Sequence, residues 1–307
     1  MKTNLLQWTL NGIGQPLAQF TSPADIRDII INIDKLPVLS GIATRLLELS
    51  TDPLADAEKL SSIIELDPNL TAQVLRWANS PLYGKRGKID SVQQAIHRVL
   101  GFEYVLNAAL SLIALKPLPL PKHGPLGSKQ LWIQALMSVQ LMSLLSKRMP
   151  TTIRPRAHEI FLVALIHNIG FSLLALFFAN EFNYLNKIIS NNTNLAIFEL
   201  ENFAFNIDHG LLGTWLLRSW NMPPAVVEVI YQHHNPNYQG EYCYLNQLTF
   251  LNDCLLGEIG IGDAQNQSCP HAIYASLQLD PAECKSLVAQ LQERFDDINA
   301  TADELCA

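Results

Sequence analysis

The sequence predicts an all-α protein, a multi-helix bundle with several fully buried helices. Apolar residues recur at a helical period through almost every segment, and alternation of period two is scarce, so no sheet is expected. Hydrophobic residues make up 49% of the chain against 16% charged. That rich share suits many buried helices and also a surface for self-association. The run from Ile160 to Asn180, IFLVALIHNIGFSLLALFFAN, is apolar almost without interruption. It is about long enough to span a bilayer, which takes on the order of 20 apolar residues. Against a span, His167 and Asn168 would sit at the midplane, Glu159 and Glu181 flank the run, and no aromatic or Lys/Arg anchors frame it. A central helix covered on all sides is expected instead.

From Val38, the apolar positions Leu39, Ile42, Leu46, Leu47 and Leu49 line one helical face, bracketed by Pro37 and Pro53. A second helix runs from about Asp56 to Leu66. The third opens with Asp67-Pro68, an N-cap followed by the N1 proline, carries Leu70, Val74, Leu75 and Trp77, and stops at Asn79-Ser80-Pro81. After a loop through Gly84 and Gly87, Asp90-Ser91 caps a helix with Val92, Ile96 and Val99 that Gly101 ends. Tyr104 to Leu115 forms the next. Lys116 to Gly127, KPLPLPKHGPLG, concentrates four prolines and is the clearest boundary; a connector fits it better than an SH3-type docking motif. Further helices are expected near Ser128 to Lys147, Arg156 to Phe178, Tyr184 to Ile189, Leu195 to Asn206, His209 to Trp220, Pro224 to His233 and Leu245 to Leu256. The last, from Pro281 to about Ile298, is the most polar and reads as a late cap or an interaction helix. Trp77, Trp132, Trp215 and Trp220 fall at apolar helical positions and read as core or interface residues.

Net charge is -7 and the isoelectric point is near 5.6, which disfavours a nucleic acid or anionic membrane as partner. The five cysteines lack C-x-x-C spacing and read as reduced thiols in a cytoplasmic protein, and the N-terminus reads as no signal peptide. Lys85, Arg86 and Lys88 form the densest basic cluster; a solvated loop is the plainer reading, an anion contact the sharper one. Arg154 and Arg156, near Lys147-Arg148, read as a helix start. No phosphate loop, nucleophile elbow or H-E-x-x-H is present.

Beyond the linker, His167-Asn168, Asp208-His209, His233-His234 and Asp253 could converge. Metal phosphohydrolases use neutral imidazoles and a carboxylate to hold a cation that activates water. By spacing alone these residues fit helix termini equally well: Asp208 as an N-cap, His233 and His234 at a C-terminal dipole. His167 and Asn168 then read as a buried hydrogen-bonded pair satisfied by Gln134, Asp253 or backbone carbonyls, with Asp253 needing a buried partner.

His167-Asn168-Ile169-Gly170 after aliphatics, His209 with Gly213 and Trp220, and V-I-Y-Q-H-H-N-P ending at Pro236 resemble the HD superfamily of metal-dependent phosphohydrolases. L-P-V-L from Leu36, D-P-N-L-T-A-Q-V-L-R-W-A-N-S-P-L-Y-G from Asp67 and S-V-Q-Q-A-I-H-R-V-L-G from Ser91 narrow the resemblance to the HDOD family, the HD-related output domain of bacterial signalling proteins. It covers about Asp34 to Leu256. It implies an all-helical fold with an N-terminal helical subdomain packed on a degenerate HD-like core, and a regulatory role with no settled activity. The implied division is residues 1–116, a Pro-rich linker at 117–127, the HD-like core at 128–260 and a C-terminal helical extension at 261–307.

Where the resemblance implies a histidine and the aspartate of the His-Asp doublet, this chain has Gln134 and Asn168. An amide offers one neutral oxygen in place of a charged pair, so most of the charge neutralisation for a cation pair is gone. The expectation is a non-catalytic signalling module acting through a signalling protein partner or a small ligand, with a homo-oligomer as a further option. No cofactor is expected, a single divalent ion on the surviving histidines and Asp253 being the exception. The rival is a residual phosphohydrolase acting on nucleotides or cyclic dinucleotides; a nucleic-acid-associated regulator ranks third.

Overall fold

A computed structural model describes residues 26, 36–80, 88–115, 120–121 and 124–306, and among them there are helices and no strands. The N-terminal half carries α1 (Gly41–Thr51), α2 (Ala57–Ile64), α3 (Pro68–Asn79), α4 (Val92–Gln94, continuing as a wider π-type turn over Ala95–Leu100) and α5 (Phe102–Leu115). Then follow α6 (Ser128–Arg148), α7 (Ala157–Ile166), α8 (Ile169–Phe177), α9 (Ala179–Asn191), α10 (Ile197–Phe205), α11 (His209–Ser219), α12 (Pro224–Gln232) and α13 (Cys243–Gly257). The chain closes with α14 (His271–Leu277), α15 (Pro281–Gln292) and α16 (Phe295–Cys306).

Local chemistry starts these helices where the sequence says it should. Asp56 accepts from the Lys59 amide at 2.8 Å, Asp67 from Asn69 and Leu70 at 2.9 and 3.2 Å, and Ser91 from Gln94 at 3.2 Å. The first helix begins three residues later than its apolar pattern suggests, because Ser40 is the cap and accepts from the Ala43 amide. Val38 is left outside it, exposed.

The apolar run from Ile160 is two helices, not one. At the break, His167 Nδ1 lies 3.2 and 3.1 Å from the Val163 and Ala164 carbonyls; these can only accept, so Nδ1 carries the proton. Asn168 leaves helical backbone at φ −95°, ψ 14°. Residues 160–166 and 169–174 are buried, so the run is covered by protein. The polar C-terminal stretch is also two helices, with α14 before them. It is part of the bundle: α15 and α16 pack on α6, and Ile298, Thr301 and Ala302 are buried.

α6 is the central post, touching α7, α13, α15 and α16, while α5 joins the N-terminal half to α7. Trp77 crosses that junction, edge-on to Trp132 at 6.5 Å and against Phe161 at 6.1 Å. Trp77 and Trp220 are buried, Trp132 and Trp215 half-buried. Arg154 donates to the Lys147 and Met149 carbonyls, closing the connection from α6 to α7.

Candidate metal centre

Small residues allow the helices to approach where the histidines meet. A Cβ at Gly170 on α8 would lie 1.9 Å from the His209 carbonyl oxygen, so only glycine lets α8 and α11 come this close. Asp208 caps α11 through the Leu211 amide at 2.9 Å and fixes His209 as its first residue. His233 and His234 follow the last turn of α12. Asp263 arrives on the loop after α13, whose Gly262 has φ +93°. The Asp263 carbonyl accepts from the Ile197 amide at 2.7 Å and ties that loop to the start of α10.

Three imidazoles and one carboxylate converge there. His209 Nε2 lies 3.2 Å from His233 Nε2, 3.1 Å from His234 Nε2 and 3.1 Å from Asp263 Oδ2, and His234 Nε2 is 3.4 Å from the same oxygen. One ligand atom from each of the four lies within 4.8 Å of every other. Tetrahedral ligands held about 2.0–2.1 Å from an ion are about 3.3–3.4 Å apart, so the four spacings of 3.1–3.4 Å are close to those of a mononuclear zinc-type shell. Asp263 Oδ2 is buried, and only the His209 and His234 ring nitrogens, at 3.1 and 3.4 Å, lie against it, so it faces the centre of the cluster.

Outer partners set the tautomers. His233 Nδ1 is 2.7 Å from the Ile230 carbonyl and His209 Nδ1 is 2.6 Å from Glu201 Oε2. Each acceptor holds a proton on Nδ1 and turns Nε2 toward the cluster. Phe171 stacks on His209 and Phe198 on His234.

Burial would strip His209 of its charge, but Glu201 and Asp263 outweigh it and raise its pKa to about 10. Burial lowers His234 to about 3 against the attraction of Asp263, with His209 and His167 repelling it, and lowers His233 well below the usual histidine value. Burial pushes Asp263 up, yet the His209 hydrogen bond and neighbouring imidazoles hold it well below the carboxylate range. Burial raises Glu201 and Asp253, with His209 and His167 pulling back. His167 is raised, Asp253 outweighing its burial.

The remaining candidates form a second position. His167 Nε2 is 3.4 Å from Asp253 Oδ1, which supplies the partner that Asp253 needs. Gln134 Nε2 lies 3.5 Å from His167 Nε2 and donates to Asp263 Oδ1 at 3.1 Å, bridging the positions. Asp253 thus serves His167, and Asp263 takes the place among the three histidines that the sequence reading gave to Asp253. Asn168 joins neither group: both atoms of its carboxamide are buried without a partner. Lys85 and Arg86 lie outside the described residues, and Lys88 is exposed and paired with Asp90 at 3.4 Å.

Glu201 and Asp263 are absent from the sequence reading, although each leaves a trace. Glu201 shares the buried face of α10 with Ile197, Leu200 and Phe205, a carboxylate on an apolar stripe. Asp263 ends the G-I-G-D turn after a long apolar helix.

Residues 36–236 match the model of the HDOD domain family. A protein of Marinobacter aquaeolei VT8 named for signal transduction has a crystal structure that superposes with a TM-score of 0.82 at 29% identity, covering 99% of this chain and 66% of that one. An HDOD domain protein of unknown function from Geobacter sulfurreducens gives 0.72 at 22% identity, covering 91% and 96%. An uncharacterized protein of Treponema pallidum (strain Nichols) is 26% identical over 279 residues, 89% of this chain and 52% of its own length. The chain therefore spans about half the length of that curated relative.

Proposed function

The chain belongs to the HDOD domain family, and from that premise we propose that it is a regulatory module of bacterial signal transduction whose HD-like core holds one divalent ion without hydrolysing phosphoesters. The observation that carries this reading is the closed shell. His209, His233, His234 and Asp263 already supply four ligand atoms, and these residues are between 0% and 12% exposed at their side chains. Structural ions sit in closed four-ligand shells, whereas catalytic ones keep a position for water or substrate.

Charge supports the same assignment. Glu201, Asp253 and Asp263, when ionised, oppose one imidazolium at His167 once His209 gives up its proton to ligate. The deficit of two positive charges in a dry interior is what a divalent ion supplies. When bound, such an ion contributes positive charge and a rigid cross-link between α11, the end of α12 and the Asp263 loop. His209 and His233 present Nε2, Glu201 and Ile230 hold their tautomers, and Gln134 orients Asp263. At the second position, where a cation pair would need another shell, Gln134 brings no charge, and Asn168, next to His167 in the chain, brings none either and makes no contact with that group.

The likeness in fold and sequence to the Marinobacter aquaeolei protein supports the signalling role. We place the module in the cytoplasm, its five thiols free, acting on a signalling protein partner. The division at the Pro-rich segment, residues 117–127, is part of this proposal. Hydrolysis of nucleotides or cyclic dinucleotides is the disfavoured alternative. Elemental analysis of untagged protein, with a phosphodiester panel assayed under added divalent metals, tests the reading. One ion per chain and no turnover is the expected result; turnover lost on His167→Ala would overturn it.

A further inference from the structure

The loop that brings Asp263 to the histidines leaves α13 at Gly257 and enters α14 at His271, and a cysteine stands near each of its ends. Cys254 lies in the last turn of α13 and is 1% exposed; Cys269, two residues before α14, is half-buried against the core. The loop folds straight back on the helix it leaves. Ile261 donates to the Leu256 carbonyl at 3.0 Å, and a Cβ on Gly257 would lie 2.4 Å from the Ala264 carbonyl oxygen, so the chain passes against the end of α13 there. Beyond it, α14 packs on α13. The two ends are thereby brought together, and the Cys254 and Cys269 thiols lie within hydrogen-bonding reach of each other. Neither the ion cluster nor the His167 position uses this pair.

Thiols that meet across a closed loop are the starting arrangement for a disulfide. Hydrogen peroxide reaches Cys269 first, because Cys254 is shielded from solvent. The Cys269 sulfur, as thiolate, attacks one peroxide oxygen, which breaks the O–O bond and leaves a sulfenic acid and water. The Cys254 sulfur then attacks the sulfenic sulfur, and the displaced hydroxide leaves with the Cys254 proton as a second water. Two thiols are oxidised and one peroxide is reduced. Exchange with a dithiol at the half-exposed Cys269 reverses the change.

We propose that Cys254 and Cys269 are a reversible redox pair, oxidised by hydrogen peroxide to a disulfide that closes the 254–269 loop and holds Asp263 in place. Reduced, the loop opens as far as its noncovalent contacts allow; oxidised, every opening that separates its ends is excluded. The bearing on the ion rests on the metal reading: the shell releases its ion when Asp263 swings away, so oxidation slows release. Asp263 and Cys269 both lie beyond residues 36–236, the stretch that matches the family, so this control belongs to the C-terminal segment.

The full chain, reduced and then treated with hydrogen peroxide, is denatured, alkylated and mapped by mass spectrometry without reductant. The five free thiols are expected to fall by two, to three, with the peptides of Cys254 and Cys269 joined, and dithiothreitol is expected to restore all five. Amide exchange across residues 258–268 is expected to slow at least about tenfold on oxidation of ion-free protein, and release of a bound ion to a chelator by a similar factor. Cys269→Ser, at the half-exposed position, should lose the bond and both effects, and serves if Cys254→Ala does not fold. Cys284 is the rival partner, buried on α15 and close enough to feel the charge of Cys269. A bond from Cys269 to Cys284, a bond between chains, no bond at all, or a bond that leaves exchange or ion release unchanged would overturn the inference. A chain that forms the bond and slows exchange but holds no ion keeps the redox pair and removes the metal reading; one ion with no bond removes this inference alone.

Discussion

Glu201→Gln separates the roles assigned to the buried carboxylate. The bond from His209 Nδ1 to Glu201 Oε2 is 2.6 Å long, between side chains 0% and 1% exposed. Without an ion, His209 is protonated near neutral pH, its pKa raised to about 10 against a burial effect that would lower it. A group raised in this way stabilises the fold fully below its unfolded pKa, about 6.5, and loses that contribution as pH rises through about 10. Exchanging carboxylate for amide removes one charge-assisted hydrogen bond, worth about 1.5–3 kcal/mol. For 307 residues the unfolding entropy is about 0.64 kcal/mol per degree, so the ion-free protein is predicted to melt about 2–5 °C lower at pH 7.

Ion affinity responds to two opposing effects. The amide lowers the basicity of His209 Nε2, as loss of an outer partner does, at a cost of about 10- to 100-fold in affinity. It also lowers the His209 pKa, which eases proton competition at pH 7. Wild-type affinity is therefore predicted to climb about tenfold per pH unit from pH 7 to 9, and that of the variant more gently, so the deficit widens with pH. Competition with a chelator across that range, on protein stripped of metal, measures the two slopes. Parallel slopes with an unchanged ratio would falsify the assignment of Glu201 as the holder of the Nδ1 proton.

Asp263→Ala removes the carboxylate that closes the shell and is predicted to take ion content below one per chain at equilibrium with a weak chelator, as elemental analysis will show; Asp253→Ala is predicted to leave it at one. Gly170→Ala places a Cβ against backbone that cannot rotate away, and is predicted to cost about 3 kcal/mol or more in urea unfolding and to lower ion uptake with it. Asn168→Asp returns a carboxylate next to His167 in the chain. It is predicted to add a second, weaker ion, and a stoichiometry held at one would mean that the amide is not what disables that position.

The fold was legible because its signals are local. Asp56, Asp67 and Ser91 each cap the helix that their own sequence announces. The break at His167 was not legible. Apolar residues continue on every side of α7 and α8, so no change of period marks the point where the backbone turns. The cause lies in a ring nitrogen taking two carbonyls and in Gly170 lying against His209, contacts that a helical wheel does not contain. The split of the C-terminal stretch was hidden similarly, since both helices meet α6 and what sets them apart is tertiary, α15 also packing on α13 and α16 on α3.

The site divides along the same line. All three clustered histidines stand at helix ends, where a sequence pattern can find them, and the carboxylates come from elsewhere. Asp253 and Asp263 are ten residues apart, one on the apolar helix α13 and one past it. Helical phase allowed Asp253 to face the histidines, and it does face one, His167. Asp263 reaches the other three because the loop turns back at Gly262, a geometry with one weak local mark. Glu201 offered a stronger mark. A carboxylate among Ile197, Leu200 and Phe205 on the inward face of α10 cannot be left alone in a dry core, and none of its own helix neighbours is a cation. A buried charge with no partner on its own helix implies one across the bundle, and among the described buried residues the ones that can carry positive charge are histidines. The first step of that inference, a carboxylate on an apolar stripe with no cation on its own helix, needs no coordinates. It would have placed a carboxylate beside a histidine, and a histidine whose outer nitrogen is so occupied has its other nitrogen free to ligate.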